Sequence, residues 1–255
     1  MVAIEFTLRV SSMYSIRVPY SYQCARTYPL PPPSTIKGLC ANALWMRFGG
    51  NPVDHLKNLH QAIIGATSRS EYPIAISACT VRVVPMNALI RQFAFAPAIS
   101  CLILFNDERN SLASNLADAL LSSPIYLGDS ESLVTCLKLS KETEIVKINK
   151  GAIVKVNTVS PFNLIIPGSL NSVPESKSTV FYMQSDPISP EAELQRYLAP
   201  LSHEADTYYP QESYSFEIAD ECFLVRGEKL AAVFSPEKPN FVQEESKKGR
   251  KAKTK

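Results

Sequence analysis

The stretch "VAIEFTLRV", Val2–Val10, alternates without a fault: Val2, Ile4, Phe6, Leu8 and Val10 fall on one side, Ala3, Glu5, Thr7 and Arg9 on the other. That period of two predicts a half-buried strand. A segment rich in Ser, Tyr, Arg and Pro follows with no helical period. Ile36, Leu39, Cys40, Ala43 and Leu44 then trace the stripe of an amphipathic helix starting at Ser34 and stopped by Gly49-Gly50. Asn51-Pro52, a capping residue followed by proline at the first helical position, opens a second helix whose Val53, Leu56, Leu59 and Ile63 can face a core. Apolar runs at Ile74–Val84 and Ala98–Phe105 predict the next two strands, the second of them central. Between them "RVVPMNALIRQFAFAP" is too long for a tight turn, and such excursions are more often functional than decorative. Leu112, Leu116, Ala119 and Leu120 mark a third helix, and Ile125–Leu139 returns to strand, interrupted by "LGDSES".

Strand, two helices, two strands, helix and strand describe an α+β chain. Residues 1–139 read as a ferredoxin-like, RRM-like βαββαβ unit with one inserted helix and a long thumb between its second and third strands. Residues 140–235 read as a β-rich extension: a hairpin around Asn149–Gly151, short strands near Thr179, Tyr214, Cys222 and Leu230, and a helix from Glu191 to Leu198. Residues 236–255 turn to Pro, Glu, Lys and Gly and end "KKGRKAKTK", a flexible basic tail with too little apolar content to fold.

With 255 residues, 45% of them hydrophobic, the chain can bury a substantial core. Its six cysteines are scattered with no CxxC pair, which points to small buried hydrophobes in a reducing compartment rather than a disulfide scaffold or zinc site. Glu5 and Arg9 interrupt any signal-peptide core, and the run Gln92–Asn106 is too short to span a bilayer, so a cytoplasmic protein without a membrane partner is expected. The net charge of +2 hides a segregation. The first 100 residues carry nine basic groups, seven of them arginine, against three acids; residues 101–246 carry eleven against twenty-one; the last nine add six basic groups and no acid. An arginine-biased first half suits a polyanion, although the same arginines would also serve as ordinary solvated surface.

Candidates for catalysis are poor, and no catalytic residue, metal or cofactor is expected. His55 and His60 stand about 140° apart around one helix, so they cannot share a metal from one face, and both read as structural. His203 stands beside Glu204 and Asp206 without a wider constellation. The sequence has no GxSxG, HExxH or P-loop, and "GATSRS" lacks the lysine and spacing that cradle a phosphate chain. "ISCLILFN" also lacks the aromatic pattern with which RNA recognition modules stack bases on their sheet. What remains is the proline-braced helix start, with Ser34 as N-cap, the amides of Thr35, Ile36 and Lys37 at a positively polarised tip, and Gly38 permitting close approach. The same "PPPS" equally suits a helix that merely begins a core element.

"TYPLPPPSTIKGLCANAL", Thr27–Leu44, resembles the N-terminal signature of the Cas-five family, RAMP-superfamily proteins that bind RNA in type I CRISPR effector complexes (Cascade). "PIYLGDSESLV", Pro124–Val134, resembles the family's second motif, a Tyr-Leu-Gly turn leading into the last strand of the unit. The resemblance covers roughly residues 1–139, and its general form is similar to the archaeal type I-A branch. It implies a non-enzymatic role in antiviral defence: capping the 5′ handle of the CRISPR RNA and joining a Cas-seven backbone subunit to the large Cas-eight subunit, with target DNA met only inside the ribonucleoprotein complex. On that analogy Arg82, Arg91, Phe93 and Phe95 would lie on the thumb. Arg26, Tyr28, Lys37 and the backbone from Ser34 through Thr35 and Ile36 to Gly38 would hold phosphates, with Arg17 and Arg47 as further candidates. One branch of the family cuts precursor RNA with Tyr, His and Lys, but neither helix histidine here sits in a matching motif. A metal-independent endoribonuclease and a pure protein-interaction module are the alternatives.

Overall fold

The computed structural model describes the chain except for residues 22–23, 84–86, 107–109, 130–131, 167, 170–177, 189–192 and 237–255. Strand β1 (Val2–Val10) is followed by an irregular arm that carries the two-residue strand β2 (Cys24–Ala25), by helices α1 (Pro33–Phe48) and α2 (Pro52–Ala62), and by β3 (Ile63–Arg69). Next come β4 (Ile74–Val83), β5 (Asn87–Phe95), β6 (Ala98–Phe105), α3 (Asn110–Ser122), β7 (Ile125–Tyr126) and β8 (Leu133–Ser140). The second half continues with β9 (Glu144–Ile148), β10 (Ile153–Val156), β11 (Ser160–Pro161) and a 3-10 turn at Phe162–Leu164. It then runs through β12 (Thr179–Met183), β13 (Gln195–Ala199), β14 (Leu201–Glu204), β15 (Thr207–Pro210), β16 (Tyr214–Glu217), β17 (Cys222–Arg226) and β18 (Ala231–Phe234). The fold is mixed α+β and β-rich, with three helices among the described residues.

β1 lies at the middle of a sheet ordered β3-β6-β1-β8-β7, every pair antiparallel. Its alternation decides what packs where. Ile4, Phe6, Leu8 and Val10 join Ile99, Cys101, Ile103 and Phe105 of β6 in one core with Ile36, Leu39, Cys40 and Leu44 of α1 and Leu116, Ala119 and Leu120 of α3. The strand is more than half-buried, because its other face is covered as well. Ala3, Leu102 and Leu104 pack against Val225, Leu230, Ala232 and Phe234 from the sheet β18-β17-β9, and the Phe234 ring lies against Gly65. Glu5 is buried on this face, where its carboxylate accepts from the amides of Lys229 (3.2 Å) and Leu230 (3.3 Å). Burial raises its pKa above the ordinary value, and those amides partly offset the effect.

Three expectations are corrected. The strand that pairs β6 on its outer side is Ile63–Arg69, not Ile74–Val84. α2 passes into β3 with no glycine or proline between them, and Ile63 satisfies both periods, so the boundary leaves no mark in the sequence. Ile74–Val83 instead pairs with β5 along its whole length, and this hairpin belongs to a second sheet ordered β14-β15-β4-β5-β2, anchored at both edges. "EIVKINKGAIVKV" does turn at Asn149–Gly151, with Gly151 at φ +85°, but β9 pairs with β17 and β10 with β16 rather than with each other. The helix expected from Glu191 to Leu198 is strand over Gln195–Leu198, within β13 between β11 and β12, and its first two residues lie outside the described residues. Its tertiary partners override a local pattern that suits either state. Four of the six cysteines are buried as expected, whereas Cys79 is exposed. Apart from Pro236, the expected tail lies outside the described residues.

Candidate nucleic-acid interface

The arm between β1 and α1 is pinned to the β4–β5 hairpin, the stretch expected as the thumb, and to itself. Tyr14 and Ala94 exchange two backbone hydrogen bonds of 2.8 Å, the Tyr14 hydroxyl donates to Pro29 O (2.5 Å), and the Ile16 amide donates to Thr27 Oγ1 (2.9 Å). These bonds fold the arm back on itself with Arg17 and Arg26 exposed. The Leu127-Gly128-Asp129 turn presses against the same arm. Gly128 holds φ +85°, and a Cβ there would stand 2.6 Å from Ser15 O, so neither the backbone conformation nor the space admits a side chain.

Between arm, turn and helix lies an open groove of about 740 Å³, walled by Arg17, Thr35, Gly38, Asn42, Arg91 and Asp129 among others. The two sequence motifs, about eighty residues apart, thus meet across one depression. Gly38 forms part of its floor, with nothing within 4 Å of where a Cβ would be, so the glycine serves open space rather than close packing. Arg91 donates to Asp129 Oδ2 (2.5 Å) and Ser15 Oγ (3.3 Å), and its guanidinium lies 4.9 Å from the Phe93 ring centre. The Asn42 Oδ1 is buried without a hydrogen-bond partner among the described residues.

The helix tip differs from the expected one. α1 begins at Pro33 with Pro32 in the capping position, so Ser34 lies inside the first turn and caps nothing. The Ser34 amide donates to Gln184 O (3.2 Å) and the Ile36 amide to Pro32 O (3.1 Å), and Tyr28 through Pro33 are buried. The stiff proline run therefore seats the helix in the core, and the chain itself occupies the Ser34 and Ile36 amides at the expected phosphate site. Ile36 belongs to the core, and Tyr28, its hydroxyl donating to Tyr182 O, is buried with that hydroxyl pushed up to about 12.

Lys37 points away from the groove. It is 3% exposed, its Nζ donates to Ser185 O (3.0 Å) and lies 3.3 Å from His60 Nδ1, and His60 Nε2 stands 3.7 Å from Asp186 Oδ1. Burial pulls the Lys37 pKa down to about 8, with the Asp186 carboxylate working against it. Lys37 and Ser185 border a separate cavity of about 260 Å³ that Thr67, Tyr197 and Phe234 also line. Arg47 is at the far end of α1, where its Nε donates to Asp118 (2.9 Å). Arg82 lies on β4 opposite Ala88, and its side chain is outside the described residues. Phe93 and Phe95 stand on β5.

Of the residues singled out in the sequence, the groove thus gathers Arg17, Thr35, Gly38 and Arg91, with Arg26 exposed on the adjoining arm. Ser15, Asn42, Tyr126 and Asp129 also line it and were not anticipated, although Tyr126 and Asp129 fall inside the second motif. His55 caps α1 by donating from Nε2 to Gly49 O (2.8 Å), and His203 stacks on Tyr208. Among the described residues no cluster of three His, Cys, Asp or Glu could hold a metal ion, and no helix is long and apolar enough to cross a membrane.

The family model described as CRISPR-associated protein (Cas5) matches residues 6–135. In three dimensions the chain is similar to a CRISPR protein from Archaeoglobus fulgidus, at a TM-score of 0.62 and 12% identity over 92% of this chain and 99% of that one. A chain of a CRISPR RNA-guided surveillance complex aligns at a TM-score of 0.41 and 14% identity, covering 81% and 91% of the two chains. No curated protein matches the sequence.

Proposed function

This chain belongs to the Cas5 family of CRISPR-associated proteins, whose model spans just over half of its 255 residues, and from that membership we propose that it is the non-catalytic subunit that caps the 5′ handle of the CRISPR RNA. The observation that carries the reading is the groove. A sugar-phosphate chain needs cationic forks, uncluttered backbone and hydrogen-bonding side chains, and here Arg17 and Arg91, Gly38 and Gly128, and Thr35 and Asn42 supply them. A phosphate entering the groove competes with Asp129 for the Arg91 guanidinium. Arg26 extends the cationic arm, while Phe93 and Phe95 project from the thumb.

The antiparallel order β3-β6-β1-β8, with α1 and α3 sharing the core on one face, supports reading residues 1–139 as a ferredoxin-like unit elaborated by α2 and the thumb. Residues 140–235 form its β-rich extension. In the assembled complex the subunit joins the Cas-seven backbone subunit to the large Cas-eight subunit and meets target DNA only there; the type I-A branch is the subtype its general form resembles. Lys37 and His60 are each less than 5% exposed, so neither is placed to act as a general base on a scissile 2′-hydroxyl.

Retention of a labelled single-stranded RNA handle by the assembled complex tests the groove. Arg17→Glu combined with Arg91→Glu should reduce retention at least about tenfold, a loss of roughly 1.4 kcal/mol or more. Unchanged retention refutes the site, and a discrete RNA product formed in EDTA refutes the non-catalytic part.

A further inference from the structure

The cavity beside Lys37 lies at the seam between the two halves of the chain. Its walls come from α1 and β3 on one side and from β13 and β18 on the other. Its polar groups are joined to one another. Lys37 Nζ donates to Ser185 O (3.0 Å), the Ser185 side chain hydrogen-bonds Tyr197, and the Tyr197 hydroxyl donates to Gln195 Oε1 (3.3 Å). The Phe234 ring packs on Gly65, and with Ile64 and Val233 beside them in sequence they form an apolar stretch of the wall. The space is thus polar at one end and apolar at the other.

Among the described residues that line it, Lys37 carries the one full charge, and no carboxylate stands on the wall to balance it. The titratable groups around the ammonium are His60 on α2, Asp186 after β12 and Tyr197 on β13. Nζ has three protons to donate, and its described acceptors are Ser185 O and His60 Nδ1. Burial lowers the Lys37 pKa to about 8 against the pull of Asp186, so the buried charge is only partly compensated. An anion in the cavity accepts the third proton and supplies the missing charge. A phosphate brings up to two negative charges to a single cation, whereas a carboxylate brings one. An apolar cavity of about 150 Å³ admits benzene, so one of about 260 Å³ has room for a body of that size and a carboxylate.

We propose that this cavity binds a small monocarboxylate with a compact apolar body, about the size of benzoate, its carboxylate on Lys37 and its body against Phe234. Such a ligand touches both halves of the chain and tightens the seam between them. The groove and the cavity share no lining residue, so the site stands independently of the RNA reading.

The test uses the full-length protein, benzoate as probe and benzamide, its neutral counterpart, as control. A ligand this small should bind with a Kd on the order of 1 mM. At roughly 10 mM benzoate the melting temperature should then rise by about 3–6 °C, and benzamide should leave it unchanged. Calorimetric titration of Lys37→Met should show benzoate binding at least about tenfold weaker than in the wild type. Should that variant fail to fold, the wild type decides: benzoate should bind at least about tenfold more weakly at about pH 10 than at about pH 7, because the ammonium loses its proton near pH 8. Equal shifts from benzoate and benzamide, wild-type affinity in Lys37→Met, or equal affinity at the two pH values overturns the site. So does a melting temperature that none of benzoate, isovalerate and phenylacetate moves, which leaves the cavity to water.

Discussion

Gly38 offers a way to pull stability and binding in opposite directions. It is the sixth residue of α1, inside the helix, with nothing within 4 Å of an added Cβ. Glycine in a helix interior costs about 0.5–1 kcal/mol relative to alanine. Gly38→Ala should therefore stabilise the protein by up to about 1 kcal/mol, raising the melting temperature by roughly 2–4 °C in a chain of this size. Gly38→Gln has most of the same helix advantage, but its side chain projects into the groove between Thr35 and Asn42. It should displace at least one phosphate from hydrogen-bonding distance, and a hydrogen bond to a charged group is worth about 1.5–3 kcal/mol, so affinity should fall ten- to hundredfold. Calorimetric melts and fluorescence anisotropy with labelled single-stranded RNA measure the two effects on the same samples. Gly38→Gln that melts higher and binds RNA like the wild type removes the groove as the binding site. Gly38→Ala that melts lower refutes the claim of open space.

Three further outcomes follow from the same geometry. Lys37 holds a pKa of about 8 when folded against 10.5 when free, so the unfolded chain binds that proton more tightly; relative to Lys37→Met, wild-type stability should be level below about pH 8 and rise by about 3 kcal/mol as pH approaches 10.5. Parallel stability profiles from chemical denaturation at each pH would contradict the burial of that charge. Gly128→Ala should lower stability by about 1–3 kcal/mol, because φ +85° and the Ser15 carbonyl both oppose a Cβ; a denaturation midpoint equal to wild type removes that argument. Asp129→Asn should free the Arg91 fork, tighten RNA binding a few-fold and steepen the salt dependence by about one phosphate contact, and titrations at several salt concentrations read this directly.

The elements that announce themselves in the sequence do so through unbroken periods and punctuation. β1 keeps its alternation, α1 runs to Gly49 at φ +70°, and α2 starts where Asn51 Oδ1 accepts from the Val53 amide. β3 was hidden because no residue marks its separation from α2, and losing it shifted the thumb hairpin into the wrong sheet. The partnerships of β9, β10 and β13 depend on strands tens of residues away, which local pattern cannot supply. For the groove, Arg17, Thr35, Gly38 and Arg91 were legible from charge and motif. Lys37 was misplaced because a helical stripe does not say which flank a lysine at its edge will face, and the amides at the tip were misread because Gln184, which accepts from Ser34, lies 150 residues downstream.

β1 occupies the centre of its sheet, yet both neighbours come late in the chain, at Ala98–Phe105 and Leu133–Ser140, and the amides that receive Glu5 come later still, at Lys229 and Leu230. On the ribosome, at about 5–20 residues per second, on the order of ten seconds separate the emergence of this strand from that of its second partner. Throughout that interval an apolar strand with at least one open edge is a template for intermolecular pairing. Nascent chains halted before residue 140 should therefore need a chaperone to stay in solution, and the nine residues of β1 are made well before they are secured.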